Sequence, residues 1–401
     1  MMQLQFPRGF RGAGVPCGLK RDAAKHDLAL VVSDVPATAV GVYTTNRVSA
    51  APVRWDRQRT PSESCRAVVL NSGNANACTG RRGDLDTRKM AEITAELCGA
   101  AADDVLVMST GIIGHPLNMD RVESGIRAAY PRLSGDALAI SHISQALMTT
   151  DTFPKVTQRR FHLGGQTVTL LGFAKGAGMI APRMATMLGL ILCDARIEPG
   201  VAQDMITGIA NDSFNAISVD GHTSTNDTLL WISNGAAFPA AIEGPTEFER
   251  QLLRTELREV CIELAKSIAR DGEGATHWIE IQIRAATSDA DARAIARAIA
   301  DSPLVKTAIA GADPNWGRIV SAAGYASPAF EPAHATLRLN EMTIFAEGEP
   351  VPFDASALSD SLRANRDVLI ELHCGSGDAA ATFWTCDLTA EYVRINADYH
   401  T

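Results

Sequence analysis

One stretch, from Lys175 to Leu188, constrains the fold of this chain more than any other. It runs Lys-Gly-Ala-Gly-Met-Ile-Ala-Pro-Arg-Met-Ala-Thr-Met-Leu, a glycine loop that passes Pro182 and enters the apolar run 187–193. A short and continuously apolar run predicts a buried strand. The stretch therefore places a hydroxyl residue, Thr186, where a loop meets the core.

Thr186 has no base beside it, because the stretch contains no His, Asp or Glu. An ordinary threonine hydroxyl needs such a base to act as a nucleophile. Cutting the Ala185–Thr186 bond would supply one, since the new α-amine has a pKa of roughly 7.7–8.0 and lies on the same residue. The small side chain of Ala185 leaves its carbonyl open to attack. On this stretch alone, a threonine that merely starts a strand after a glycine turn is the competing interpretation.

Composition limits the classes of function. The 401 residues carry a net charge of −9 and no run of Lys and Arg, which argues against a nucleic-acid partner. Eight scattered cysteines form no C-x-x-C pair, which favours reduced thiols and a cytoplasmic protein. The sequence shows no signal peptide and no apolar run of about 20 residues, so we expect no membrane contact. Its nine histidines are dispersed and predict no metal site.

Polar segments follow several predicted strands. Residues 71–76, Asn-Ser-Gly-Asn-Ala-Asn, come after the apolar run 66–70, and Thr110-Gly111 follows the apolar run 104–108. A glycine N–H and a neighbouring hydroxyl at a strand end can point at one oxygen, as an oxyanion hole requires. Without further information, a turn rich in Asn and Gly explains each segment equally well.

The central stretch resembles the signature of the ornithine acetyltransferase family, in which a chain cuts itself before a threonine. Arg183 departs from that signature, which usually has Asn, and His222 stands where the family usually carries Asp. Further family-like blocks extend in order along the chain, in residues 9–18, 71–80, 109–114, 149–155, 224–228, 311–318 and 396–401. Any one block is weak, but their order and coverage are specific.

The resemblance implies a role for each candidate site residue. Thr186 becomes the nucleophile after cleavage from Ala185, and Thr110 with Gly111 forms the oxyanion hole. The implied substrate-binding residues are Thr149, with Thr150 and Thr152 as weaker candidates, Lys175, Thr186 itself, Glu273, Asn396 and Thr401. A carboxylate at position 273 suits the cationic amine of ornithine, and a lysine at 175 suits a substrate carboxylate. No cofactor and no metal are implied.

Two other motifs have competing interpretations. Lys175 precedes Gly176 and Gly178, whereas a phosphate-binding loop places the Lys after its glycines, so nucleotide binding is disfavoured.

Asp220, His222 and Ser224 are the residue types of a hydrolytic triad. Residues two apart on an extended chain are about 7 Å apart, too far for a hydrogen-bond relay. We therefore interpret His222 as a surface or loop residue.

The resemblance also implies the architecture. We expect an α+β fold of layered sheets flanked by helices, αββα-like, of the self-cleaving threonine-nucleophile type. Residues 1–282 would form the catalytic core, and 283–401 a C-terminal α/β domain whose tail returns to the active site. The two cut chains would stay together, as a heterotetramer of two cut pairs.

The implied reaction moves the acetyl group of N-acetylornithine to glutamate, which makes the protein a glutamate N-acetyltransferase. Some family members also accept acetyl-CoA, and no sequence feature settles whether this one does. A self-cleaving threonine amidase or aminopeptidase, in which water replaces glutamate, is the rival enzyme. An uncut amino-acid- or carbohydrate-binding relative is a third interpretation, which the departures at Arg183 and His222 keep open.

Overall fold

Two mixed β-sheets organise the chain. The computed structural model describes residues 4–181, 187–238 and 246–398. The predicted cleavage site, Ala185 and Thr186, and the tail residue Thr401 lie outside the described residues.

The first sheet has the strand order β4-β3-β2-β8-β7-β6-β5, and β1 pairs with β2. Its strands are β1 (Phe10–Val15), β2 (Leu28–Tyr43), β3 (Ser62–Asn74), β4 (Val105–Ile112), β5 (Lys155–Leu163), β6 (Gln166–Lys175), β7 (Leu188–Cys193) and β8 (Thr228–Ser233). The second sheet has the order β12-β11-β10-β13-β9-β14. Its strands are β9 (Trp278–Ala286), β10 (Thr336–Leu339), β11 (Met342–Ala346), β12 (Glu349–Pro350), β13 (Asp367–His373) and β14 (Ala379–Cys386).

Helices cover the sheets and connect their strands. They are α1 (Ala51–Arg57), α2 (Gly80–Cys98), α3 (Met119–Ala129), α4 (Ala137–Leu147), α5 (Pro199–Asn211), α6 (Glu247–Arg270), α7 (Asp289–Asp301), α8 (Pro303–Ala310), α9 (Trp316–Ala326), α10 (Ala355–Ala364) and α11 (Ala390–Asp398). Within the described parts of the chain, no helix is both long and apolar enough to cross a membrane.

Strand β2 divides the first sheet into two halves. Its residues 28–32 pair with β1 and β3, and its residues 38–43 pair with β8. One core cluster contains buried side chains from β1 to β4 together with side chains from β6, β7 and β8, so the two halves face each other. The sequence predicts two strands here; the chain instead stays extended through the exposed residues 34–36, and the pairing with β3 shifts register.

Alternation along the strands produces the layers. Val68 and Leu70 face the other half of the sheet, whereas Ala67 and Val69 pack with residues of α2 and α3. On the opposite half, the outward residues of β7 pack with α5 and α6. Because successive strand residues point to opposite faces, each half of the sheet buries one face against the other half and its opposite face against helices. The predicted α+β fold, with helices outside two sheet layers, is confirmed.

Helix α6 leads the chain from the first sheet to the second. The apolar periodicity of residues 247–270, with Thr246 as a plausible N-cap, predicts a helix with the observed bounds, Glu247–Arg270. Thr246 caps it by accepting the N–H of Glu249, whose side chain accepts the N–H of Thr246. Its contacts join β5 and β6 to β14. The division after residue 282 stays a prediction, and it falls within β9, which belongs to the second sheet.

Candidate active site

The ends of β3 and β4 place Thr110 and Gly111 together. The two strands are parallel, and Gly73 lies opposite Gly111. Gly111 has φ +130°, and a Cβ atom there would lie 2.3 Å from the carbonyl carbon of Gly73, so only glycine fits. The side-chain amide of Asn226 donates to the carbonyl of Ser109 at 2.8 Å, which fixes the end of β4.

Lys175 ends β6 and faces the same point. Its side chain is buried, with 2% of the residue exposed, and its Nζ donates to the hydroxyl of Thr110 at 3.3 Å. Burial lowers the pKa of Lys175, and the carboxylate of Asp151 opposes that effect. Lys175 therefore places its side-chain nitrogen at the cavity, beside the hydroxyl of Thr110.

Asp151 holds the segments on either side of the site. One carboxylate oxygen accepts the N–H of Gly176 at 2.7 Å and the Nζ of Lys155 at 2.7 Å, and the other accepts the N–H of Thr149 at 2.9 Å. Lys155 also pairs with Asp271, the residue after α6. This buried charge cluster, Asp151, Lys155 and Asp271, therefore ties the threonine segment, the glycine loop and the Glu273 loop together.

The charge of Asp151 contributes to stability at neutral pH. Burial alone would raise the pKa of this carboxyl, but Lys155, Lys175 and the N–H of Gly176 outweigh it and lower the pKa to about 2 from 3.8. A lowered folded-state pKa stabilises the fold above pH 3.8, and the contribution disappears as the pH falls towards 2. With about 1.4 kcal/mol for each unit of pKa shift, it amounts to about 2 kcal/mol.

We therefore expect the stability difference between the wild type and Asp151→Asn to shrink by about 2 kcal/mol between pH 5 and pH 2. Urea titrations at intermediate pH values measure it. A difference that grows as the pH falls would contradict the prediction.

Glu273 reaches the cavity because glycines surround it. Its N–H donates to the carbonyl of Ala177 at 2.8 Å, and a Cβ atom at Gly178 would lie 2.4 Å from the Glu273 carboxylate. Asn396, on α11, donates to the same carboxylate at 2.8 Å. The C-terminal helix α11 therefore contributes a side chain to the lining of this cavity.

The candidate triad of Asp220, His222 and Ser224 is not assembled. Asp220 accepts the backbone N–H groups of Met179 and Ile180 at 2.6 and 3.0 Å, and its other contacts include the backbone N–H of His222 and the hydroxyl of Tyr392. The residue His222 is exposed. Asp220 therefore holds the glycine loop instead of orienting an imidazole.

Most predicted site residues line one open cavity. Its lining residues are Ala75, Thr110, Gly111, Ile113, Thr149, Thr150, Lys175, Gly178, Met179, Ser224, Thr225, Asn226, Glu273 and Asn396. The hydroxyl of Thr152 instead donates to Asp271. Thr186 and Thr401 lie outside the described residues, but Met187, next to Thr186, donates its N–H to Asp227 at 3.1 Å.

Sequence reasoning missed the roles of Asn226 and Asp227. Both belong to the family-like block 224–228, but nothing in the sequence shows that the block meets the ends of β3 and β4. Asn226 donates to the carbonyls of both Ala75 and Ser109. The polar residues of this block are therefore visible in the sequence, but the strand ends that they contact are not.

A family model for ArgJ matches residues 11–401. The chain belongs to the ArgJ family. Curated ArgJ relatives, each named arginine biosynthesis bifunctional protein ArgJ, include one from Rhodopirellula baltica, 45% identical over 99% of this chain and 96% of the relative. Another, from Symbiobacterium thermophilum, is 46% identical over 98% of both chains. The resemblance drawn from the sequence is confirmed.

A solved ArgJ structure agrees with this assignment. The crystal structure of arginine biosynthesis bifunctional protein ArgJ from Bacillus halodurans has a TM-score of 0.51 and 38% identity to this chain. The match covers 100% of that chain and 53% of this one. The solved ArgJ chain thus corresponds to about half of the present sequence.

Proposed function

We propose that this chain transfers the acetyl group of N-acetylornithine to glutamate through an acetyl-Thr186 intermediate, giving ornithine and N-acetylglutamate. The family assignment supports acetyl transfer in arginine biosynthesis. The observation that carries the site assignment is the cavity, because Thr110, Gly111, Lys175 and Glu273 converge in it from separate elements.

The first step is cleavage between Ala185 and Thr186. The hydroxyl of Thr186 attacks the carbonyl of Ala185, the peptide nitrogen leaves as an amine, and water then releases the ester. The products are residues 1–185 and a chain that begins with Thr186. The half-length match to the Bacillus halodurans chain supports a cut near the middle.

The cut chains remain associated because their strands share one sheet. Strand β6 precedes the cut and β7 follows it, and they pair antiparallel from Leu170 opposite Cys193 to Lys175 opposite Leu188. Strand β8 of the second chain also pairs with β2 of the first. We further propose that two cut pairs assemble as a heterotetramer in the cytoplasm, where all eight free cysteines would stay reduced.

Acetyl transfer then uses the new amine as the base. It takes the proton of the Thr186 hydroxyl while the oxygen attacks the acetyl carbonyl, and Thr110 and Gly111 donate to the oxyanion. The ornithine amine leaves with that proton. The amine of glutamate attacks acetyl-Thr186 next. Lys175 pairs with a substrate carboxylate, and Glu273 pairs with the side-chain ammonium of ornithine.

The decisive experiment incubates purified protein with N-acetylornithine, with and without glutamate. Glutamate-dependent formation of N-acetylglutamate and ornithine supports the proposal. Acetate release that does not need glutamate supports the rival amidase instead. A third incubation, with acetyl-CoA and glutamate, tests the second donor.

The oxyanion assignment makes a separate prediction. Thr110→Val keeps the branched shape and removes the hydroxyl, so kcat should fall about 10²–10³-fold, as when one oxyanion donor is lost. Thr94→Val is the matched control, because the buried hydroxyl of Thr94 donates only to the carbonyl of Met90 within α2. Equal activities of the two variants would contradict the assignment.

A further inference from the structure

The active-site cavity has an apolar wall beside its polar groups. Ala75, which follows β3, and Ile113, which follows β4, both line the cavity and form this wall. Ala75 is 2% exposed, and Ile113 is partly buried. Neither side chain can donate or accept a hydrogen bond. The apolar wall therefore offers a substrate only van der Waals contact and removal from water.

Backbone hydrogen bonds and packing hold the apolar wall in place. The N–H of Ala75 donates to the carbonyl of Ile112 at 2.9 Å, and the N–H of Gly114 donates to the carbonyl of Ala77 at 2.9 Å. These two bonds fix the chain on either side of Ile113. The Ile113 side chain packs against a small buried cluster, Ala50, Val53, Ala75 and Ala77. Because protein interiors are close-packed, a larger ligand group could not push Ile113 aside without disturbing this cluster.

Charged groups enter the cavity from other elements. Lys175 ends β6, Glu273 lies in the loop after α6, and Asn396, on α11, donates to the Glu273 carboxylate at 2.8 Å. Met179 is a further apolar lining residue, but it belongs to the glycine loop, where the neighbouring Gly178 lies against the Glu273 carboxylate. The cavity is therefore apolar beyond the ends of β3 and β4 and charged where β6, the glycine loop and α11 meet.

The candidate oxyanion pair touches both parts of the cavity. The hydroxyl of Thr110 accepts the Nζ of Lys175 at 3.3 Å, whereas Gly111 and its strand partner Gly73 each lie two residues before the apolar wall. An acyl carbonyl carbon held there carries two further groups, its alkyl chain and the nitrogen of the amino acid. The amino acid bears the charges and suits the charged part, which leaves the alkyl chain to the apolar wall.

We propose that the apolar wall is the acyl-group subsite and that Ile113 is a specificity-determining residue that limits the donor to a short acyl group such as acetyl. This inference rests on the proposed acetyl transfer. The methyl of an acetyl group contacts Ala75 and Ile113. A longer acyl chain would need the space that the Ile113 side chain fills, so N-butanoylornithine should be a poor donor.

The test compares N-acetylornithine with N-butanoylornithine as donors to glutamate. The wild type should favour the acetyl donor at least about tenfold in kcat/KM, since one methylene in an apolar pocket changes this ratio by about 10–200-fold. Ile113→Ala removes three carbon atoms from the wall, so the ratio should move at least about tenfold towards the butanoyl donor. Both donors are measured on one preparation, so any loss of folded protein cancels from the ratio.

Ile113→Val removes one carbon atom and should move the ratio in the same direction by a smaller factor. This conservative variant keeps the test decisive if Ile113→Ala does not fold. The matched control is Ile112→Ala, because Ile112 is also partly buried and is not among the described residues that line the cavity. The control should keep the wild-type ratio.

An unchanged ratio in active Ile113→Ala or Ile113→Val would overturn this inference alone. An equal shift in Ile112→Ala, or a wild type that uses both donors equally well, would overturn it too. A wild type that transfers no acetyl group from N-acetylornithine to glutamate would overturn the proposed function first.

Discussion

Thr186→Ala is expected to leave one intact chain of 42.7 kDa and to abolish acetyl transfer. Alanine lacks the hydroxyl that, in the proposed mechanism, attacks Ala185 and later carries the acetyl group. The wild type should instead give two bands of about half the full mass on a denaturing gel. Mass spectrometry of the smaller products should place the new N-terminus at Thr186.

Thr186→Ser is the control for this experiment. Serine keeps the hydroxyl and, after cleavage, the amine, so this variant should still form two chains and retain measurable transfer. Its rate should fall far less than that of the alanine variant. An alanine variant that is cut normally would place the nucleophile elsewhere, and an active wild type without a cut would refute the mechanism.

Lys155→Met is expected to lower the free energy of unfolding by about 3–5 kcal/mol, the usual loss when one partner of a buried ion pair is removed. The Lys155 side chain is fully buried between Asp151 and Asp271, at 2.7 and 2.5 Å. Methionine fills a similar volume but leaves two carboxylates without their shared cation. The uncut Thr186→Ala background is the right host, because unfolding there involves a single chain.

Arg88→Met is the matched control for the loss of a cation. Arg88 pairs with Glu92 at 2.9 Å, four residues along α2, and both side chains are largely exposed. Such a surface pair is worth about 0.3–0.5 kcal/mol. Denaturant titrations should therefore separate the two variants clearly. A loss below about 1 kcal/mol for Lys155→Met would show that the buried charge cluster does not stabilise the fold.

Local rules were sufficient for much of the fold. The apolar periodicity and the cap at Thr246 predict α6 with its observed bounds, and the run 119–129 predicts α3 with its observed bounds. The strands β7 and β8 agree with their apolar runs to within a residue or two. These elements are set by residues near one another in sequence, which is the information that a single sequence contains.

Long-range partners were not predictable in the same way. The sequence gives no sign that β2 would continue across residues 34–36, because its extension depends on pairing with both halves of the sheet. It also missed α1 and α8, which are short and begin with Pro at or near the first turn. The roles of Asp151 and Asp227 depend on partners 25 and 40 residues away.

The site residues show the same difference between what local sequence reveals and what only spatial contacts reveal. The resemblance named Thr110, Gly111, Lys175, Glu273 and Asn396, and the cavity brings them together. It did not name Asn226, whose amide fixes the strand end beneath Thr110. A residue that orients another through a backbone carbonyl has no motif of its own, so only its spatial neighbours reveal it.

The pairing of β6 with β7 has a consequence for how the protein refolds after unfolding. The two strands find each other while a short connection still tethers them, so their encounter is unimolecular. If the proposed cleavage severs that tether, the same ladder becomes a bimolecular complex. A cut molecule that unfolds would then recover its structure only by diffusion of two polypeptides, and its survival would depend on how slowly it comes apart.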